Sequence, residues 1–208
     1  MCSMYAELHA HSAFSFLDGA SLPDELAGAA AELGYEAMAL TDHNSVSGSM
    51  EFAQAAGALG LRAIHGAEVD LDDGRHITLL VEDETGWRNL CRILTRAHRD
   101  TREKHEPPPQ VPLTTVEEHA QGLICLSGCA RQGVRDEPTM RRLLAAFGPA
   151  ACGWSCSGRS SATTARATGS WRCWPGGWGC RRWRRATCTP TRARARHCRT
   201  RSWRCATT

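Results

Sequence analysis

The chain changes character abruptly near residue 150. Residues 150–208 contain no Leu, Ile, Val, Phe, Met or Tyr, so this segment has no ordinary aliphatic core to bury. All 22 Asp and Glu lie in residues 1–149, whose net charge is −10, whereas the last 59 residues carry 13 Arg and a net charge of +13. The two parts therefore need separate interpretations, and only residues 1–149 are predicted to form a folded domain.

The C-terminal segment, residues 150–208, holds six of the seven Trp and seven of the 11 Cys. Arg, Ala, Gly and Pro have GC-rich codons, and Trp and Cys arise when GC-rich DNA is read out of register. Our hypothesis is that the native reading frame is lost near Pro149, which predicts a non-native or disordered tail. The alternative is a genuine Arg- and Trp-rich tail that binds nucleic acid, but its lack of Lys and aliphatic residues counts against this interpretation.

The N-terminus has neither the basic region nor the apolar region of a signal peptide. No run of residues approaches the roughly 18 apolar residues of a membrane span. The sequence therefore predicts a cytoplasmic protein with reduced thiols and no membrane contact.

The first 149 residues alternate short apolar runs with amphipathic stretches, which is the pattern of βα units. Four or five parallel strands are expected, in a barrel or a doubly wound sheet whose functional groups gather at the carboxyl ends of the strands. Ser21 is the predicted N-cap of the first helix. The predicted strands are 5–9, 37–41, 62–71, 76–81 and 122–127, and the main predicted helices are 21–33, 49–59 and 85–98.

Two histidines, His9 and His11, stand two residues apart at the end of the first strand. Side chains at this spacing point to the same face and can bind one metal ion, although a chance pair of surface histidines is the alternative. Asp18 follows on a loop that could bring its carboxylate back to the same end of the sheet. The alternative for Asp18 is an Asp-Gly turn.

Acids, imidazoles and a thiol recur at the ends of the later predicted strands. Asp42 and His43 follow the second strand, and Glu68 stands in an apolar run of the third, where a charge needs a partner such as a cation. His76 opens the fourth strand and Cys129 follows the fifth; a solvated edge histidine and a buried structural cysteine are their alternatives. The mixture of ligand types suits Zn²⁺, Mn²⁺ or Fe²⁺ in a multinuclear site that hydrolyses a phosphate ester.

Three motifs carry a resemblance to a known family: residues 9–20 (HAHSAFSFLDGA), 41–44 (TDHN) and 65–69 (HGAEV). They closely resemble the PHP (polymerase and histidinol phosphatase) domain of bacterial DNA polymerase III alpha-type enzymes, above all the error-prone branch. The resemblance continues through residues 76–81 (HITLLV), 86–90 (GWRNL) and 126–129 (LSGC), and it covers about 140 residues.

The resemblance implies a distorted seven-stranded β/α barrel, here incomplete, with up to three Zn, Mn or Fe ions. Asp42 would support catalysis by orienting the metal ligands. The family completes its site with an acid or Asn, any residue, then His on a late strand, and residues 138–208 contain no Asp, Glu or Asn. The implied metal ligands are His9, His11, Asp18, His43, Glu68, His76 and Cys129.

In function, the resemblance implies the N-terminal domain of an error-prone polymerase in DNA replication and repair, with a metal-dependent phosphoesterase or exonuclease-type site. DNA, reached through the parent polymerase, and other replication or repair subunits would be its partners. A non-catalytic metal-binding structural module and a free-standing phosphoesterase similar to histidinol phosphatase are the alternatives. Because the late ligand pair is missing, the chain as written is expected to have little or no activity.

Overall fold

The computed structural model describes residues 5–99, 101, 108–129 and 132–153, together with two short strands at 183–184 and 203–205. The predicted C-terminal segment therefore lies almost wholly outside the described residues. The elements are β1 (Tyr5–Glu7), α1 (Pro23–Glu32), β2 (Ala37–Leu40), α2 (Ser49–Ala58), β3 (Arg62–Asp70), β4 (His76–Val81), α3 (Glu84–His98), α4 (Leu113–Glu118), β5 (Leu123–Leu126), α5 (Glu137–Phe147), β6 (Cys152–Gly153), β7 (Trp183–Arg184) and β8 (Trp203–Cys205).

Strands β1 to β6 form a curled half-barrel sheet in the order β6-β5-β4-β3-β2-β1, and β8 and β7 follow β1 at the end of this order. Strands β1, β2 and β3 are parallel, as are β5 and β6. The predicted α/β class and incomplete β/α barrel are thereby confirmed. The described pairing continues past the predicted domain boundary at residue 149, because β6 begins at Cys152.

The prediction that all strands are parallel is wrong for β4, which runs antiparallel to both β3 and β5. Only residues 71–75 join β3 to β4, and a parallel crossover needs a dozen residues or more. Instead these residues make a tight turn, in which the Leu71 N–H donates to the Arg75 carbonyl at 2.7 Å and Gly74 adopts a φ of +81°. The reversal brings the amino end of β4 to the edge where β3 ends.

Helices cover the outer face of the sheet and bury two clusters of apolar side chains. One cluster packs α1 and α2 against β2 and includes Leu26, Met38 and Phe52. The larger one packs α3, α4 and α5 against β3, β4 and β5. Inside the curl, a small cluster contains Leu80 and Leu126. The outer clusters hold the backbone rigid, so the strand ends can present polar side chains in fixed positions.

The predicted N-cap of α1 is wrong by one residue. Leu22 occupies the N-cap in an extended conformation, and the helix begins at Pro23. Proline at the first helical position disfavours a helical conformation for the residue before it, which places the boundary between these two residues. The Leu22 N–H donates to the Glu25 carboxylate at 3.0 Å, so the acid at the third helical position satisfies the backbone N–H of the N-cap residue.

Candidate metal centre

The chain continues from β1 beside the end of β2, and this places His9 and His11. The Thr41 N–H donates to the Ala10 carbonyl at 2.9 Å, and the Ala10 N–H donates to the Thr41 hydroxyl at 3.2 Å. His9 and His11, on either side of Ala10, therefore point together towards the curl of the sheet. Their Nε2 atoms lie 3.0 Å apart.

A tight loop then returns Asp18 to the same place. The Ser15 carbonyl accepts hydrogen bonds from the N–H groups of Asp18 and Gly19, at 3.1 and 2.9 Å. A side chain on Gly19 would collide with the backbone of Ser12, so the loop closes only with glycine there. The closed loop brings the Asp18 carboxylate within 3.5 Å of His43 Nε2.

His43 is held beside Glu68 because the chain after β2 goes on pairing with β3. The Glu68 N–H donates to the Asp42 carbonyl at 3.1 Å, and the Asn44 N–H donates to the Glu68 carbonyl at 2.7 Å. Asn44 ends this pairing with a φ of 46°, and its side chain bonds Asp70. His43 Nδ1 thereby lies 3.2 Å from Glu68 Oε1.

Glu68 is the centre of the cluster, and its side chain is only 2% exposed. Its Oε2 lies 2.6 Å from His9 Nε2, and its Oε1 lies 3.3 Å from His76 Nδ1. Glu68 on β3 pairs with Thr78 on β4, so His76 is its diagonal neighbour on the same face of the hairpin. One buried carboxylate thus contacts histidines contributed by three different parts of the chain.

Cys129 reaches the cluster through its backbone. Its N–H donates to His76 Nε2 at 3.1 Å, and the bond leaves His76 Nδ1 facing Glu68. The chain turns here at Gly128, whose φ is +83° and which lies against the His76 backbone. The thiol of Cys129 is not among the atoms that the structure gathers into a metal-holding group within its described part.

The Asp42 carboxylate does not face the imidazole rings directly. It accepts hydrogen bonds from the Ser12 N–H and hydroxyl, both at 2.7 Å, and from the Ser15 hydroxyl at 2.6 Å. Sequence reasoning missed Ser12 and Ser15, both fully buried. Their only signal was that two hydroxyl side chains stand within four residues of His11, on the loop that carries Asp18.

The electrostatics of the cluster favour the ligand forms of its side chains. Burial would raise the pKa of Glu68, but the hydrogen bond to His9 and the nearby His9, His76 and His11 outweigh it and lower that pKa to about 2. Burial, together with His9, lowers the pKa of His11 to about 4. Burial also lowers the pKa of His76. At neutral pH, Glu68 is therefore an anion and His11 and His76 are neutral, with the lone pair on His76 Nε2 accepting the Cys129 N–H.

The structure contains two groups of three possible ligand atoms, and within each group the three atoms lie within 4.8 Å of one another. The first group is His9, His11 and Glu68, and the second is His11, Asp18 and His43. His11 belongs to both groups. Neutral imidazoles around an ionised carboxylate are the donor set that divalent transition metals prefer, so the residues fit bound metal ions. Of the predicted ligands, the structure brings together the side chains of His9, His11, Asp18, His43, Glu68 and His76.

A curled α/β half-barrel with a cluster of possible metal ligands at one edge places the chain in the class of β/α-barrel proteins. Residues 7–146 match the model of the PHP domain, and the chain belongs to this family. The predicted family is thereby confirmed.

Curated relatives extend the comparison. The chain is 42% identical over 140 residues to an error-prone DNA polymerase of Symbiobacterium thermophilum, a match covering 61% of this chain and 13% of the relative. It is 42% identical over 158 residues to the error-prone DNA polymerase of Mycobacterium tuberculosis strain H37Rv, covering 71% of this chain and 14% of the relative. The chain thus spans about an eighth to a seventh of the length of these relatives and is homologous to the N-terminal domain of such polymerases.

A solved structure supports the fold. A candidate metal-dependent phosphoesterase of Bifidobacterium adolescentis superposes with a TM-score of 0.52 at 14% identity, covering 72% of this chain and 75% of the other. None of the described cysteines, Cys91, Cys125, Cys129 and Cys152, forms a disulfide bond. Among the helices that the structure describes, none has the length and apolar character needed to cross a membrane.

Proposed function

We propose that the cluster around Glu68 is a divalent-metal site of the phosphoesterase type. The observation that carries the proposal is the convergence of four histidines on one buried carboxylate, with Asp18 at the rim. Zn, Mn or Fe suits this mixture of imidazole and carboxylate ligands. We propose His9, His11, Asp18, His43, Glu68 and His76 as ligands, Cys129 as a further ligand, and Asp42 as the residue that anchors the surrounding loops.

Divalent ions bound at such a site would act as Lewis acids and would lower the pKa of a bound water molecule towards neutral pH. The protein's part is to hold the ligands at fixed spacing and to leave one side open. Glu68 and His9 are buried, whereas the side chains of Asp18 and His43 are 47% and 32% exposed. A phosphate ester would therefore approach from the side of Asp18 and His43.

The wider role rests on the polymerase relatives. We propose that the domain acts within a longer error-prone DNA polymerase, in DNA replication and repair, with DNA and other subunits of that machinery as partners. The domain's net charge of −10 gives it no general attraction for a polyanion. Any DNA contact at this site would therefore be local and would depend on the bound metal ions.

One observation favours a second function, a structural metal site without turnover. Glu68 contacts His9, His43 and His76, which come from three separate parts of the chain. A metal ion there would cross-link β1, β2 and the hairpin of β3 and β4, and it would stabilise the half-barrel whether or not it hydrolysed anything.

Metal binding and turnover, measured together, test the proposal. The metal-stripped 208-residue chain is titrated with Zn²⁺, Mn²⁺ or Fe²⁺ by calorimetry, and the loaded chain is assayed on a generic phosphodiester and on single-stranded DNA. His9→Ala is compared with His119→Ala, whose ring bonds the Thr115 carbonyl far along the chain from the cluster. We expect binding that His9→Ala weakens and His119→Ala preserves, with low turnover because the late acid-x-His pair is missing.

The outcomes separate the two functions. Turnover lost in His9→Ala and kept in His119→Ala supports the phosphoesterase. Metal binding that raises the melting temperature, with no hydrolysis of either substrate, supports the structural site. If the wild-type chain bound none of the three metals, both proposals would be wrong.

A further inference from the structure

Ser15 occupies a central place in the hydrogen bonding around the metal site, although it is not a ligand. Its side chain is buried, and its hydroxyl oxygen contacts three groups. It lies 2.6 Å from Asp42 Oδ1, 3.1 Å from the His43 backbone nitrogen and 3.3 Å from His11 Nδ1. A serine hydroxyl has one hydrogen to donate and two lone pairs to accept, so these three contacts use its full capacity.

The three contacts can be assigned in only one way. The Asp42 carboxylate only accepts, so the Ser15 hydroxyl donates its single hydrogen there. The His43 backbone N–H only donates, so it takes one lone pair of the hydroxyl oxygen. The remaining lone pair must face a donor, and this requires the hydrogen of the neutral His11 ring to lie on Nδ1. His11 Nε2 then carries the free lone pair.

The other side of the His11 ring agrees with this assignment. His11 Nε2 lies 3.0 Å from His9 Nε2, and His9 Nε2 lies 2.6 Å from Glu68 Oε2. The short contact with a carboxylate places the hydrogen of His9 on its Nε2. That hydrogen also faces His11 Nε2, which therefore acts as an acceptor.

We propose that Ser15 is a positioning residue that holds His11 in the Nδ1–H tautomer, with Asp42 fixing the direction of the Ser15 hydroxyl. The tautomer directs the His11 lone pair at the point shared by both metal-holding groups, and it does so before any ion binds. Ser15 and Asp42 thereby set the one ligand that both groups use. The inference deepens the proposed metal site. Its affinity measurement rests on that proposed function, whereas its tautomer measurement does not.

The tautomer is measured directly by nitrogen-15 NMR of the imidazole rings in the metal-free, labelled chain at pH 7.5. We expect wild-type His11 to show a protonated Nδ1 and an unprotonated Nε2. In Ser15→Ala, the Nε2–H tautomer should gain population, because only the contact between His9 Nε2 and His11 Nε2 then favours the hydrogen on Nδ1. Ser12→Ala is the matched control: it removes another buried hydroxyl, which donates to Asp42 at 2.7 Å but is not the hydroxyl that bonds the His11 ring. It should keep the wild-type tautomer.

The second measurement is the Zn²⁺ affinity of the wild-type and Ser15→Ala chains. Loss of a residue that orients a ligand typically lowers metal affinity by roughly 10- to 100-fold, and we expect Ser15→Ala to fall in this range. A hydrogen on Nε2 of wild-type His11, or an unchanged tautomer in Ser15→Ala, would overturn the inference. The wild-type spectrum alone decides the first point, even if a variant does not fold. A correct tautomer in a wild-type chain that bound no Zn²⁺ would support Ser15 and contradict the proposed zinc site.

Discussion

The proposed metal site has an inner side and an outer side that are built differently. The inner side chains, Glu68, His76 and His9, are 2%, 5% and 7% exposed, and two of them belong to the paired strands β3 and β4. The outer side chains, Asp18 and His43, are 47% and 32% exposed and lie on loops that follow β1 and β2. His11, at 14%, lies between the two sides and belongs to both metal-holding groups.

The two sides are held in place by different interactions. Pairing between β3 and β4 fixes the inner ligands through backbone hydrogen bonds, so their positions share the stability of the sheet. The Asp18 side chain depends on local loop bonds such as those of Ser15 and Gly19. His43 has both kinds of support, because its neighbours pair with Glu68 and its own N–H donates to the Ser15 hydroxyl. We therefore expect inner substitutions to change both stability and metal binding, and outer substitutions to change metal binding alone.

Glu68→Gln should have the largest effect. The carboxylate of Glu68 is buried and hydrogen-bonded to His9 at 2.6 Å, and a hydrogen bond to a charged group typically contributes about 1.5 to 3 kcal/mol. We expect the free energy of unfolding of the metal-free chain to fall by roughly this amount, measured by urea denaturation, and the stronger metal-binding step to be lost. Glu82→Gln, an exposed acid just after β4, is the control. Equal stability of the two variants would contradict the central role of Glu68.

The pH dependence of the free energy of unfolding should reflect the titration of His11, which lies between the inner and outer sides. Its pKa is about 4 in the folded chain and 6.5 in the unfolded chain, so between these values the unfolded chain binds more protons. Stability is therefore complete above pH 6.5 and falls as the pH drops towards 4, by up to about 3 kcal/mol from this group. Denaturation of the metal-free chain at several pH values measures the slope. His11→Gln should flatten it, and an unchanged slope would show that other groups cause it.

Asn44 joins the two sides, and its substitution should have an intermediate effect. Its Nδ2 donates to the Asp70 carboxylate at 2.8 Å and to the Pro109 carbonyl at 3.1 Å, and its Oδ1 accepts from the Asp70 N–H. Its φ of 46° is unfavourable for most other residues. We expect Asn44→Ala to cost about 2 kcal/mol, from lost hydrogen bonds and backbone strain.

Asn44→Gly separates these two causes, because glycine accepts the positive φ without strain. It should be more stable than Asn44→Ala by about 1 kcal/mol in the same denaturation experiment. If Asn44→Gly were the less stable of the two, backbone strain would not contribute at this position.

Much of the cluster was predictable from the sequence, because its members lie at the ends of apolar runs that are recognisable as strands. His9 and His43 follow such runs, whereas His76 opens one. Strand ends gather in a barrel, so His9, His43 and Glu68 could be grouped from residue type and position alone. The orientation of β4 could not be read in the same way. Periodicity locates a strand but says nothing of its direction, and the short connection at residues 71–75 was the neglected signal for a hairpin.

The hydrogen bonds that support the ligands were also beyond the sequence. Ser12 and Ser15 are common loop residues, and nothing in their spacing shows that they point at Asp42 rather than at solvent. The N-cap at Leu22 was similarly hidden, because proline geometry overrode the usual preference for serine. Patterns of residue type can select candidate ligands, but hydrogen-bond partners depend on the folded path of each loop.

The smallest effect on stability should come from Asp18→Ala. This variant is therefore the sharpest test of the difference between the inner and outer sides of the site. The Asp18 side chain is about half exposed and lies 3.5 Å from His43 and 4.0 Å from His11, so removing it leaves no buried group unpaired. We expect the free energy of unfolding to change by less than about 0.5 kcal/mol, as in the exposed control Asp72→Ala.

Metal binding by Asp18→Ala should nevertheless change in a specific way. The single lone pair of His11 can bind only one ion, so His11 serves the group of His9, His11 and Glu68. The outer group then keeps Asp18 and His43 in the wild type, and His43 alone in Asp18→Ala. Calorimetric titration with Mn²⁺ should therefore lose the weaker binding step and keep the stronger one, while Glu68→Gln should lose the stronger step. Because each variant removes one carboxylate from one group, the pair of titrations isolates the two groups. Equal weakening of both steps in Asp18→Ala would show that the ligands act as one undivided site.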